Sequence, residues 1–97
     1  MMTREEIDAH VNKRIAVLER VRRVLIERLK VQRTPEEIDP DAPLFGTGLG
    51  LDSVDAVELV VSLEAEFVLE LPDTAAGRRS MRTVGTVVDL LIARGAS

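Results

Sequence analysis

Apolar residues recur at every third or fourth position from Thr3 to about Gln32. Ile7, Val11, Ile15, Leu18, Val21, Leu25 and Leu29 form one continuous series. That spacing fits the 3.6-residue turn and predicts a long amphipathic helix with one apolar stripe. Thr3 followed by Glu6 predicts a capping box. Acids near the start (Glu5, Glu6, Asp8) and bases near the end (Arg28, Lys30, Arg33) suit the helix dipole. No Gly or Pro interrupts the series. The helix is long for so short a chain. Its first turns, an N-terminal extension of about residues 1–15, are therefore expected to project beyond the core or to pack on a partner.

The pattern then breaks. Pro35, Pro40 and Pro43 mark Thr34 to Asp52 as a loop, because proline lacks an amide hydrogen and disfavours helix at the residue before it. Ile38, Leu44, Phe45, Leu49 and Leu51 are expected to pin this loop to the core and keep it ordered. Helical spacing returns from Ser53 to about Val68, with Ala56, Leu59, Val60, Leu63 and Phe67 as the buried stripe. Pro72 ends any continuation. Asp73 or Thr74 caps a short helical turn that breaks near Gly77. Thr83 caps a last helix whose Val84, Val87, Val88 and Leu91 face inward, and Gly95 fits its stop. No alternating strand pattern or internal repeat occurs. The expected class is all-α, one domain over residues 1–97: a small four-helix bundle of three longer helices and one short one, with a long ordered loop between the first two.

Composition narrows the setting. Aromatic residues are 2% of the 97 (Phe45 and Phe67), so the core must be aliphatic, and there is no cysteine to form a disulfide or a thiolate metal site. No stretch is long and apolar enough for membrane insertion. The N-terminus, with its three acids, lacks the apolar core of a signal peptide. The expected location is cytoplasmic and the expected state a monomer. Charge is distributed unevenly. Residues 1–33 hold nine Lys/Arg against five Asp/Glu, and residues 74–97 hold four against one. Residues 34–73 hold eleven Asp/Glu and no Lys or Arg. Such a one-signed surface draws basic partners and repels nucleic acid.

The acids gather around Gly46-Thr47-Gly48-Leu49-Gly50-Leu51-Asp52-Ser53-Val54-Asp55. A glycine-rich, apolar approach here delivers Ser53 to the first turn of a helix, at an exposed corner. Asp52 is placed as the N-cap and Asp55 in the first turn, where negative charge suits the dipole. Taken alone, Asp52-Ser53 could be no more than a capped helix start. A second apolar line, Val54, Val57 and Val61, runs beside the buried stripe. With Asp55, Glu58, Glu64 and Glu66 around it, it makes a candidate docking surface. The glycines do not form a nucleotide loop, since no strand precedes them and no Gly-Lys-Ser/Thr follows. His10, the single histidine, lies far from Ser53 in sequence, and no base or oxyanion arrangement supports a serine hydrolase.

The run from Leu44-Phe45 through Gly48-Leu49-Gly50-Leu51-Asp52-Ser53-Val54-Asp55, then Val57-Glu58-Leu59-Val60, Leu63-Glu64, Glu66-Phe67 and Leu71-Pro72-Asp73, resembles bacterial acyl carrier proteins over about thirty residues without a gap. The resemblance implies a non-catalytic carrier. Ser53 would receive 4′-phosphopantetheine from coenzyme A through a phosphopantetheinyl transferase, with Mg²⁺ needed only in that transferase complex. Asp52 would contact the transferase or its metal. The arm would hold acyl intermediates as thioesters for acyl-transfer, ketosynthase or ligase enzymes with basic docking patches, in fatty-acid, polyketide or related lipid biosynthesis. Three departures stand out: the extended first helix, Ala65 in place of a common acid, and Gly77-Arg78-Arg79-Ser80-Met81-Arg82 where many carriers are acidic or mixed. They point to a specialised member. A peptidyl or aminoacyl carrier and an unmodified helical adaptor are the alternatives.

Overall fold

The computed structural model describes residues 1–71 and 81–96. Among them the chain forms three α-helices and no strand: α1 (Arg4–Glu27), α2 (Ser53–Phe67) and α3 (Val84–Ala93), with a single 3₁₀ turn at Pro35–Glu37. The all-α class expected from the periodicity is therefore what the chain adopts. The short turn expected from Asp73 or Thr74 to Gly77 lies outside the described residues, as do Arg78 and Arg79.

Each helix starts where its sequence places a cap. Thr3 accepts from the Glu6 amide and Glu6 reaches back to the Thr3 amide, the expected box. Helix α3 opens on Thr83, which exchanges the same two bonds with Thr86. Their ends follow three different routes. α3 closes with Ala96 donating to the Leu91 carbonyl across Gly95 at φ 93°, the left-handed seat glycine occupies without strain. In α2, Leu69 donates to Glu64 across Val68 at φ 52°, so a β-branched residue takes the same seat. α1 unwinds five residues before Gln32, through wide bonds from Leu29 to the Val24 carbonyl and from Val31 to the Leu25 carbonyl, around a left-handed Lys30.

α1 is the spine against which both α2 and α3 pack. Its buried face is Val17, Val21, Val24 and Leu25; Ile7, Val11 and Ile15 stay about half exposed. The single stripe read along the whole helix is therefore two surfaces, and residues 1–12 are exposed. From α2 come Leu59, Leu63 and Phe67, with Ala56 and Val60 half-buried; from α3 come Val84, Val87, Val88 and Leu91. Each such Val or Leu contributes about 1.5–3 kcal/mol when removed from water. The core is aliphatic apart from Phe67, whose ring carries the Arg20 guanidinium 4.1 Å from its centroid. Ile38, Leu44 and Leu51 of the first loop are buried in the same core, and Phe45 and Leu49 pack partly against it.

Candidate functional site

The approach to Ser53 is a closed excursion of backbone. Leu51 donates to the Leu44 carbonyl (3.0 Å) and Leu49 to that of Pro43 (2.9 Å). The loop is tied to the start of α3 as well: Leu44 donates to the Arg82 carbonyl at 3.0 Å. Between these ties the chain reverses through Gly46 and Gly50, at φ 71° and 75°. Gly48 serves a different need. A Cβ there would sit 1.9 Å from the Pro43 carbonyl oxygen, so the two backbone stretches can approach only because it has no side chain. Buried Leu44 and Leu51 thus anchor both ends of a turn that leaves its next residues, Asp52 and Ser53, in solvent.

Ser53 is the first residue of α2 and is exposed. Asp52 is the N-cap. Its Oδ1 accepts from the Asp55 amide (2.9 Å), and the Asp55 carboxylate accepts in turn from the Asp52 amide (3.0 Å). The two carboxylates are thereby fixed on either side of the serine, each by an amide and, among the described residues, not by a cation. The Ser53 and Val54 amides donate to no acceptor among the described residues. They point out of the helix start, where partial positive charge gathers. An anionic group on the serine oxygen would find those donors, opposed by the two aspartates. The Ser53 hydroxyl itself bonds to no side chain among the described residues. His10 stands exposed in the first turns of α1.

The remaining predicted site residues separate along α2. Val54, Val57 and Val61 are 74%, 65% and 56% exposed, and with Val68 they run down the face opposite the core. Glu58 is exposed and receives a long bond from the Ser62 hydroxyl; Asp55 is half-buried in the cap. Glu64 is half-buried and accepts from the Leu71 amide at 3.0 Å. Glu66 points back to α1. It accepts from Arg20 at 3.0 Å and lies 3.6 Å from the Arg23 guanidinium, while Arg20 also donates to the Glu66 carbonyl. The Arg20 hydrogen bond, aided by the charges of both arginines, lowers the Glu66 pKa below its ordinary 4.5 despite partial desolvation. Glu66 thus holds the end of α2 to the spine, a role its helical position alone does not reveal; Arg20 sits 46 residues away in sequence.

Among the described residues no group of three His, Cys, Asp or Glu could hold a metal, and no helix is long and apolar enough to cross a membrane. A shallow depression lined by Arg20, Arg23, Arg33, Glu19 and Glu27 lies along α1, apart from Ser53. The family model for a phosphopantetheine attachment site matches residues 19–91, from the middle of α1 through most of α3. That span contains the whole serine corner and leaves out the first turns of α1. Members of this family carry a covalently attached 4′-phosphopantetheine, do not themselves catalyse, and work with phosphopantetheinyl transferases and acyl-handling enzymes. With most of its length inside the match, this chain belongs to the phosphopantetheine-binding carrier family.

Proposed function

We propose that Ser53 is the attachment residue and that the protein is an acyl carrier, holding acyl intermediates as thioesters for enzymes of fatty-acid, polyketide or related lipid biosynthesis in the cytoplasm. The carrying observation is the serine corner: an exposed hydroxyl in the first turn of α2, beside two free amides, inside the matched span. In the transferase complex, Ser53 Oγ forms a bond to the phosphorus of coenzyme A that bears pantetheine. The pyrophosphate P–O bond breaks, adenosine 3′,5′-bisphosphate leaves with the bonding pair, and the serine proton passes to a base of the transferase. When bound, the prosthetic group supplies a thiol on a long flexible arm. Asp52 holds Ser53 in place through the cap and offers its remaining carboxylate oxygen to the transferase or its Mg²⁺.

The same reading gives α2 its docking role. Val54, Val57 and Val61 present an apolar line, with Asp55, Glu58 and Glu64 beside it. No Lys or Arg occurs between residues 34 and 73. The complementary partner surface is an apolar groove rimmed by Arg and Lys. Glu66, engaged by Arg20 and Arg23, supports this surface by fixing the end of the helix.

The test is intact mass after incubation with coenzyme A, Mg²⁺ and a broad-range phosphopantetheinyl transferase. Wild type should gain one phosphopantetheine and Ser53→Ala none. A folded wild type that gains nothing, or a gain that survives Ser53→Ala, would overturn the assignment.

A further inference from the structure

The first turns of α1 are outside the family match and outside the core, yet they are not polar all round. Ile7, Val11 and Ile15 are 48%, 47% and 53% exposed, and half-buried Leu18 continues their line. At 100° per residue these four fall within a sector of about 80°, turned roughly 90° from the face formed by Val17, Val21 and Val24. The described residues of this chain leave that sector open.

We propose that this stripe pairs with the same stripe of a second copy, antiparallel, about a two-fold axis through Val11. The charges select that partner and that direction. Arg4 lies near one end of the stripe and Glu19 near the other, on the same flank and nearly equidistant from Val11. Arg4 is exposed, and the Glu19 side chain is 54% exposed although Arg22 bonds it. An antiparallel pair sets Ile7 against Ile15 of the second copy, Val11 against itself, and each Arg4 beside a Glu19. A parallel, in-register pair would bring Arg4 towards Arg4 and would leave each Arg4 fifteen residues along the axis from either Glu19. Three half-exposed side chains and one leucine fall well short of the ~800 Å² per partner of a standard interface. The pairing is therefore weak and concentration-dependent, and the monomer is the dilute state. Because the stripe lies apart from α2 and Ser53, the pair keeps both serine corners open.

Sedimentation equilibrium of the full, unmodified chain from about 10 µM to about 1 mM tests this. The mass should rise from 10.7 kDa towards twice that value and no further. Val11→Glu puts two carboxylates on the axis and should weaken association at least tenfold, while leaving the dilute-state melting temperature unchanged. Arg4→Glu should weaken it several-fold, and Arg4→Glu combined with Glu19→Arg should restore it. Ser53→Ala should associate as wild type does, so this result does not depend on the loading result. A wild type that stays monomeric at the top concentration, growth beyond two copies, or association unchanged in Val11→Glu would each overturn the proposal.

Discussion

Helices α2 and α3 begin with the same four-position device and put it to opposite uses. In α2 the positions read Asp52-Ser53-Val54-Asp55; in α3 they read Thr83-Val84-Gly85-Thr86. Both close a reciprocal box between the first and fourth residues. The second residue is exposed Ser53 in one and wholly buried Val84 in the other. The third is Val54, 74% exposed, against Gly85, which the Pro40 carbonyl approaches so closely that a Cβ would lie 3.0 Å from it. The amides differ accordingly. Val84 and Gly85 donate to the carbonyls of Ala42 and Pro40, whereas those of Ser53 and Val54 face solvent. A capped helix start is thus not in itself a site. It becomes one where the chain before it turns away and leaves the donors and hydroxyl open.

The sharpest way to break this comparison is to put alanine at the second position of each box. Val84→Ala should cost about 2 kcal/mol in denaturant unfolding through the cavity it leaves. Ser53→Ala should change stability by less than about 0.5 kcal/mol, as expected of an exposed side chain. Equal losses would mean that Ser53 is structural after all. Next come the caps. Thr83→Ala and Asp52→Ala should each cost about 1 kcal/mol. Asp52→Asn retains a capping oxygen, so it should leave stability nearly intact yet slow loading by a transferase about tenfold, read as kcat/KM. An Asn variant loaded at the wild-type rate would confine Asp52 to capping. The smallest effect concerns the far end of α2. The lowered pKa of Glu66 means that its stabilisation is complete above the ordinary glutamate value and fades as pH falls through the lowered one. Glu66→Gln should therefore be less stable than wild type near neutral pH, by about 0.5–1 kcal/mol for so open a pair, and the gap should close in acid. A gap that persists in acid, once Glu66 is fully protonated, would mean that shape and not charge ties α2 to α1.

Much of this was legible along the chain because it is local. Caps depend on residues three apart, so Thr3, Asp52 and Thr83 could be placed. The inward face of α3 follows from one spacing over four residues, all of which are buried. Helix ends were harder. Gly95 announces a left-handed stop, but Lys30 and Val68 adopt that conformation without a residue that favours it. The split of α1 into a buried face and an open stripe was hidden because both share one continuous period. Which part is covered depends on where α2 and α3 happen to pack. The tie of Glu66 to α1 was hidden for a related reason: helical position separates it from the core stripe, but its partners lie on another helix.

The two loop carbonyls that cap α3 have a practical consequence for anyone recombining such domains. Because Pro40 and Ala42 complete the start of the last helix, the stretch before the serine cannot be exchanged as a detachable cassette. A chimera joined between Ala42 and Ser53 would import a foreign serine corner and keep the native cap. One joined upstream of Pro40 would keep the start of α3 satisfied only if the imported loop brought two of its own carbonyls to the same places.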